Sequence, residues 1–206
     1  MEISNRLLVA TFIALAILGG TFFFSKALQS GNSSPEFATV WPRSVSIPEF
    51  ELIDHDGQPF RRENLTGSWQ LMFFGFTHCP DICPATLQQL SLVQASLEKI
   101  GQVAPEILLV SVDPERDTPD VLGTYVSYFD ANIKGVTGDL DEIRKLTSTS
   151  SIFFEKSYQG NDEYTVDHST VILVVNESGA IHASFSAPHI IGNLVKDLPR
   201  ITEIGR

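Results

Sequence analysis

The run Trp69–Phe76 (WQLMFFGF) narrows the fold more than any other feature of the chain. A strand with one wet face alternates apolar and polar residues; this one is apolar almost throughout and reads as a strand covered on both faces. A second such run is Glu106–Val112 (EILLVSV). Between them, Pro84 to Ile100 carries Leu87, Leu90, Val93 and Leu97 at helical spacing, and Gly101 ends that helix. Thr118-Pro119 opens another helix, with Thr as N-cap and Pro at the first helical position, reaching as far as Phe129. A weaker helix follows Asp139. Thr170–Val175, the turn Asn176–Gly179 and Ala180–Phe185 read as a hairpin, and Ile190–Ile204 as a closing helix interrupted by Pro199.

Strand–helix–strand–helix followed by hairpin–helix predicts an α/β chain: a thioredoxin-like mixed sheet with helices on both faces. Of the 206 residues, 43% are hydrophobic and 19% charged, which excludes a disordered chain. Lys and Arg total 14 against 25 Asp and Glu, a formal charge of -11, and no stretch is basic enough to neutralise a phosphate backbone. Nucleic-acid binding is thereby excluded, and the acidic body favours encounters with basic protein surfaces and cations.

Leu7–Phe24 (LLVATFIALAILGGTFFF) holds no charge, with Arg6 before it and Lys26 after. As a helix it spans roughly 27 Å, close to the hydrocarbon thickness of a bilayer. A secretory signal has a shorter apolar core, so length favours an uncleaved anchor over a cleaved signal, although Ser25-Lys26-Ala27 offers small residues at a cleavage position. The expected organisation is a short tail 1–6, a transmembrane anchor 7–24, a polar linker 25–45 and a thioredoxin-like domain 46–206 on the exported, periplasmic or equivalent side.

The two cysteines both lie in Cys79-Pro80-Asp81-Ile82-Cys83, where the first buried strand meets the first long helix. Pro84 fits the first helical position, which puts Cys83 at the helix N-terminus, where free amides and the dipole stabilise a thiolate. A purely structural disulfide is disfavoured, because closing so short a loop removes little entropy from the unfolded chain. Reversible disulfide chemistry and soft-metal binding remain. A zinc ribbon would need further Cys or His pairs, whereas two thiolates and one imidazole suit Cu(I) and also accommodate Cu(II).

Five histidines compete for the third position. His168, in Tyr164–Ser169 (YTVDHS), directly precedes a buried strand, and in a thioredoxin-like sheet the loop there faces the cysteine loop. Asp167 or Ser169 is placed to orient its ring. His78 adjoins Cys79 but should point away from it in an extended segment, and ranks second. His55 sits in a turn, His182 should face solvent opposite Ile181, and His189 follows Pro188 in a loop.

Phe73–Pro84 (FFGFTHCPDICP), Ser111–Asp120 (SVDPERDTPD) and Val166–Ser169 (VDHS) together resemble the Sco/SenC family over roughly residues 45–206. The resemblance implies a membrane-anchored copper chaperone that helps to assemble the binuclear copper centre of cytochrome c oxidase, with copper ligands on Cys79, Cys83 and His168. It also implies the oxidase's copper-bearing subunit as partner, with other copper chaperones or thiol reductants beside it. The acidic residues of Asp113–Pro119 are expected to serve local hydrogen bonding rather than copper. Thioredoxins differ in having two residues between the cysteines and a cis-proline where Ser169 stands; peroxiredoxins place their threonine three residues before the cysteine, whereas Thr77 is two before Cys79. The rival enzyme reading is a thiol-disulfide oxidoreductase in which Cys79 and Cys83 are a redox pair that reduces the oxidase's copper-binding cysteines; His168 discriminates, because dithiol exchange does not need it.

An uncleaved anchor keeps the protein in the membrane fraction through carbonate extraction. A soluble mature form beginning near Leu28 would instead establish a cleaved signal.

Overall fold

The structure is a computed structural model describing residues 34–130, 132–150, 152–158, 160 and 163–204, together with Gly20. Apart from Gly20, the run Leu7–Phe24 on which the anchor expectation rests lies outside them. Among the described residues no helix is long and apolar enough to cross a membrane.

The strands are β1 (Thr39–Ser46), β2 (Glu51–Asp54), β3 (Pro59–Arg61), β4 (Gln70–Gly75), β5 (Glu106–Ser111), β6 (Lys134–Thr137), β7 (Phe154–Tyr158), β8 (Tyr164–His168), β9 (Ile172–Val175) and β10 (Ala180–Phe185). The helices are α1 (Ile82–Lys99), α2 (Pro119–Ser127), α3 (Leu140–Ser148) and α4 (Ile191–Ile204). Eight strands form one mixed sheet in the order β1-β10-β9-β4-β5-β6-β2-β3, and β7 and β8 form a separate hairpin. β4 is parallel to β5 and antiparallel to β9; β5 is parallel to β6. Every residue of β4 and β9 is buried, as the apolar runs Leu71–Gly75 and Ile172–Val175 require. This is the mixed α/β thioredoxin-like arrangement, with α1 and α4 packed on one another and α2 packed on β6.

Local signals explain the helix starts. Thr118 accepts from the Val121 amide at 3.4 Å with Pro119 as first residue of α2, and Asp139 accepts from the Asp141 amide at 2.8 Å at the head of α3. Such caps contribute about 1 kcal/mol each. α1 begins two residues earlier than the position of Pro84 suggests; proline is tolerated there because first-turn amides have no intrahelical partner.

β1 falls across the stretch 25–45 expected to be linker. Val40 pairs with Ala183 and Val45 with Ile181, with a register shift between them. Pro42 is compatible with the strand because β1 is the sheet edge, where a missing donor costs no ladder bond. A second difference follows: His182 on β10 is buried, not solvent-facing, because β1 continues the sheet and Ser44 and Trp69 enclose the ring.

Both loops that follow the central parallel strands open at their carboxyl ends. The loop after β4 carries the cysteines and the loop after β5 carries Asp113–Pro119, so the chemistry collects where open α/β sheets commonly place it.

Candidate metal centre

Cys79 sits in the loop leaving β4, Cys83 in the first turn of α1, and His168 at the end of β8. The two sulfurs and a ring nitrogen of His168 lie within 4.8 Å of one another. Cys83 Sγ is 3.4 Å from His168 Nε2, and the Cys83 amide donates to Cys79 Sγ at 3.4 Å. Both thiols are free, Cys83 is fully buried and Cys79 nearly so. A neighbour 85 residues away thus meets a pair only four residues apart.

The imidazole is set by its own backbone. His168 Nδ1 stands 3.0 Å from the Ser169 carbonyl, which can only accept, so Nδ1 carries the proton and the lone pair lies on Nε2, towards Cys83. The orienting group is therefore the Ser169 carbonyl; Asp167, the other expected orienter, is exposed. Phe73 and Phe76 pack edge-on against the ring at 6.0 and 5.8 Å between centroids.

The thiolate falls on a different cysteine from the one expected. The Cys83 thiol donates to Cys79; together with the amides of Cys83 and Asp81 it holds Cys79 well below the ordinary thiol range, against burial that pushes it up. Cys83 is driven strongly upwards by that same bond and by its own burial. A helix N-terminus stabilises an anion by at most about 2 kcal/mol, while burying an ion costs several. Full burial therefore overrides the helix at Cys83, and the amides of the first turn serve Cys79 instead.

Two contributors left little trace in the reading of the sequence. Gly75 lies beneath the site: a Cβ there would stand 2.9 Å from Cys83 Sγ and 3.0 Å from the Phe73 ring. A glycine inside a buried strand was the available signal. Asp117, fully buried, accepts from the Thr77 amide (3.0 Å), the Thr77 hydroxyl (2.6 Å) and the Ser111 hydroxyl (2.7 Å), fixing the loop just ahead of Cys79. Asp113 is equally buried, and the acidic residues of the Asp113–Pro119 loop accept hydrogen bonds, though from distant Tyr164 and Thr77 as well as from near neighbours.

The other histidines stay outside the cluster. His78 is half-exposed, its Nδ1 3.1 Å from the Thr77 hydroxyl. His55 Nδ1 accepts from the Gly135 amide at 2.9 Å, His182 Nδ1 bonds Ser44, and His189 Nε2 donates to the Thr170 carbonyl at 2.6 Å.

Fold and cluster together define a thioredoxin-like domain with a Cys–Cys–His donor set. The chain belongs to the SCO1/SenC family, which it matches over residues 42–203. A Stutzerimonas stutzeri protein is 36% identical over 162 residues, 79% of either chain. Mitochondrial SCO2 of Saccharomyces cerevisiae is 33% identical over 176 residues, 82% of this chain and 58% of the yeast protein's length. Among solved structures, Arabidopsis thaliana ScoI with copper bound superposes with a TM-score of 0.73 at 30% identity, covering 76% of this chain and 98% of that one.

Two outcomes follow. Iodoacetamide at pH 6 should label Cys79 well ahead of Cys83, read by peptide mass mapping, because only Cys79 is a thiolate there; preferential labelling of Cys83 would reverse the assignment. Gly75→Ala should push Cys83 Sγ out of place and lower soft-metal affinity by on the order of tenfold, in keeping with losses seen when a ligand's support is altered.

Proposed function

We propose that this protein is a copper-binding metallochaperone, anchored to a membrane by residues 7–24 with its domain on the exported side, that helps assemble the binuclear copper centre of cytochrome c oxidase. The observation that carries the reading is the convergence of Cys79, Cys83 and His168 donor atoms within 4.8 Å. Two thiolates and an imidazole match Cu(I) in softness and number. Their closeness in a largely buried pocket suits a cargo ion that must be shielded in transit. The copper-bound Arabidopsis relative supports the same choice of metal.

The residues divide the work. Cys79, already a thiolate, supplies the first sulfur; Cys83 gives up its proton on binding and supplies the second; His168 offers Nε2 while Ser169 holds the opposite side of the ring. Oxidation of the pair to a Cys79–Cys83 disulfide removes both sulfur donors, so release is coupled to redox state. The domain's acidic surface favours a basic docking face on its partner, the oxidase's copper-bearing subunit, and the linker, shortened by β1, lets the domain reach it. The thiol-reductase reading leaves the aimed Nε2 of His168 without a purpose and is the weaker of the two.

Copper titration of the exported domain should give one equivalent per chain. His168→Ala should weaken binding about 10- to 100-fold or more, and loss of either cysteine should cost at least as much. In cells lacking the protein, His168→Ala should restore oxidase activity poorly. Full restoration by His168→Ala, with both cysteine variants inactive, would establish the reductase reading instead.

A further inference from the structure

His168 is carried by an element with little hold on the rest of the molecule. The β7–β8 hairpin joins no strand of the large sheet, and of its ten strand residues only Val166 is buried. Between hairpin and body lies a groove of about 340 Å³, with Val112, Leu140 and Arg144 on the body side and Phe154, Tyr158 and Val166 on the hairpin side. Apolar packing of the hairpin on the body is therefore thin: Val166 joins the core, Phe154 and Tyr164 rest against it, and Phe73 and Phe76 bound the ring of His168. Metal binding is sensitive to donor placement at the level of about 0.5 Å.

A second set of contacts supplies what packing does not. Buried Asp113 accepts the Tyr164 hydroxyl on Oδ1 at 2.8 Å and the Arg116 Nε on Oδ2. Arg116 Nη1 donates to the Tyr164 carbonyl at 3.1 Å, and its guanidinium lies 4.0 Å from the Tyr164 ring centroid and 5.8 Å from that of Phe76. Lys156, paired with Glu115 at 2.6 Å, covers the Tyr164 ring at 4.4 Å. Tyr164 is four residues before His168 on the same strand, and Phe76 is itself edge-on to the His168 ring. The loop after β5 thus grips β8 by a side chain, a carbonyl and a ring face at once.

We propose that Asp113, Arg116 and Tyr164 form a positioning clamp that holds the β7–β8 hairpin, and through it His168, within reach of Cys79 and Cys83. The clamp touches neither sulfur nor imidazole directly; it acts by restricting where β8 lies. This deepens the copper reading and rests on it for its purpose, while the mechanical part stands on the metal-free protein.

The test is a double-mutant cycle on Cu(I) affinity, measured by competition with a chromophoric Cu(I) chelator. Tyr164→Phe keeps the stacked ring and loses only the bond to Asp113; Arg116→Lys keeps the charge and loses the fork. Each should lower affinity about 3- to 30-fold in the otherwise unaltered protein, the range in which coupled residues commonly act. In a His168→Ala background each should change affinity by less than about twofold, because the clamp acts only through that ligand. Equal losses in both backgrounds would reduce the clamp to general stability and overturn the proposal, as would no loss in either. A copper-free arm keeps the two readings apart: amide exchange at Ser169, whose N–H donates to the Phe153 carbonyl at 2.9 Å, should quicken in Tyr164→Phe while Leu109 and Val174 stay protected. If the unaltered protein takes up no Cu(I), the copper reading fails, and the exchange result alone upholds or overturns the clamp.

Discussion

The Asp117 carboxylate, buried between the ends of β4 and β5, is the contact on which the arrangement of the cysteine loop depends. It accepts from the backbone and hydroxyl of Thr77, two residues before Cys79, and from Ser111, the last residue of β5. Hydrogen bonds to a charged group contribute roughly 1.5–3 kcal/mol each, and removing a carboxylate from water costs several. Three bonds therefore come close to balancing the burial, and little net stability is left over. What the contact provides is place: it leaves the loop one way to depart from the sheet, and so sets where Cys79 stands.

From that fixed point the centre is assembled by elements of very different reach. Cys83 follows automatically, since α1 starts within the same loop and its first-turn amide already donates to Cys79. Gly75 clears the space that Cys83 Sγ occupies, which makes the close approach of helix and strand feasible without displacing Phe73. His168 arrives from a hairpin outside the sheet; Ser169, Phe73 and Phe76 set its ring, while the Asp113–Arg116–Tyr164 contacts hold its strand. The charge is distributed unevenly to match. One thiolate and one thiol share a proton across the pair, a state that avoids two buried negative charges while the site is metal-free.

The elements that the sequence made legible are those with a signal in their own residues. The runs of β4, β5 and β9 are apolar on both faces, α1 repeats its leucines at helical spacing, and Thr118 and Asp139 are caps by residue type. β1, β2, β3, β6, β7 and β8 carry no such signal, because short or edge strands hold few apolar residues and their pairing is decided by distant partners. Thr39–Ser46 shows this well: its polar composition matches a tether, and only β10 makes it a strand. The same division runs through the site. The cysteine pair was evident from its spacing and its junction, and His168 from the order of elements, whereas Gly75, Asp117 and the Asp113–Arg116–Tyr164 contacts needed three dimensions.

The amino-acid sequence by itself determined the donor types, two sulfurs and a candidate imidazole, and the strand–helix order that brings them to one end of a sheet. It did so because residue chemistry and hydrophobic period are local properties. Which cysteine carries the charge, which nitrogen of His168 is free, and how the hairpin is held were decided only by tertiary structure. Each depends on burial and on partners up to 85 residues away, and the free energies at stake are set by desolvation that no local pattern records.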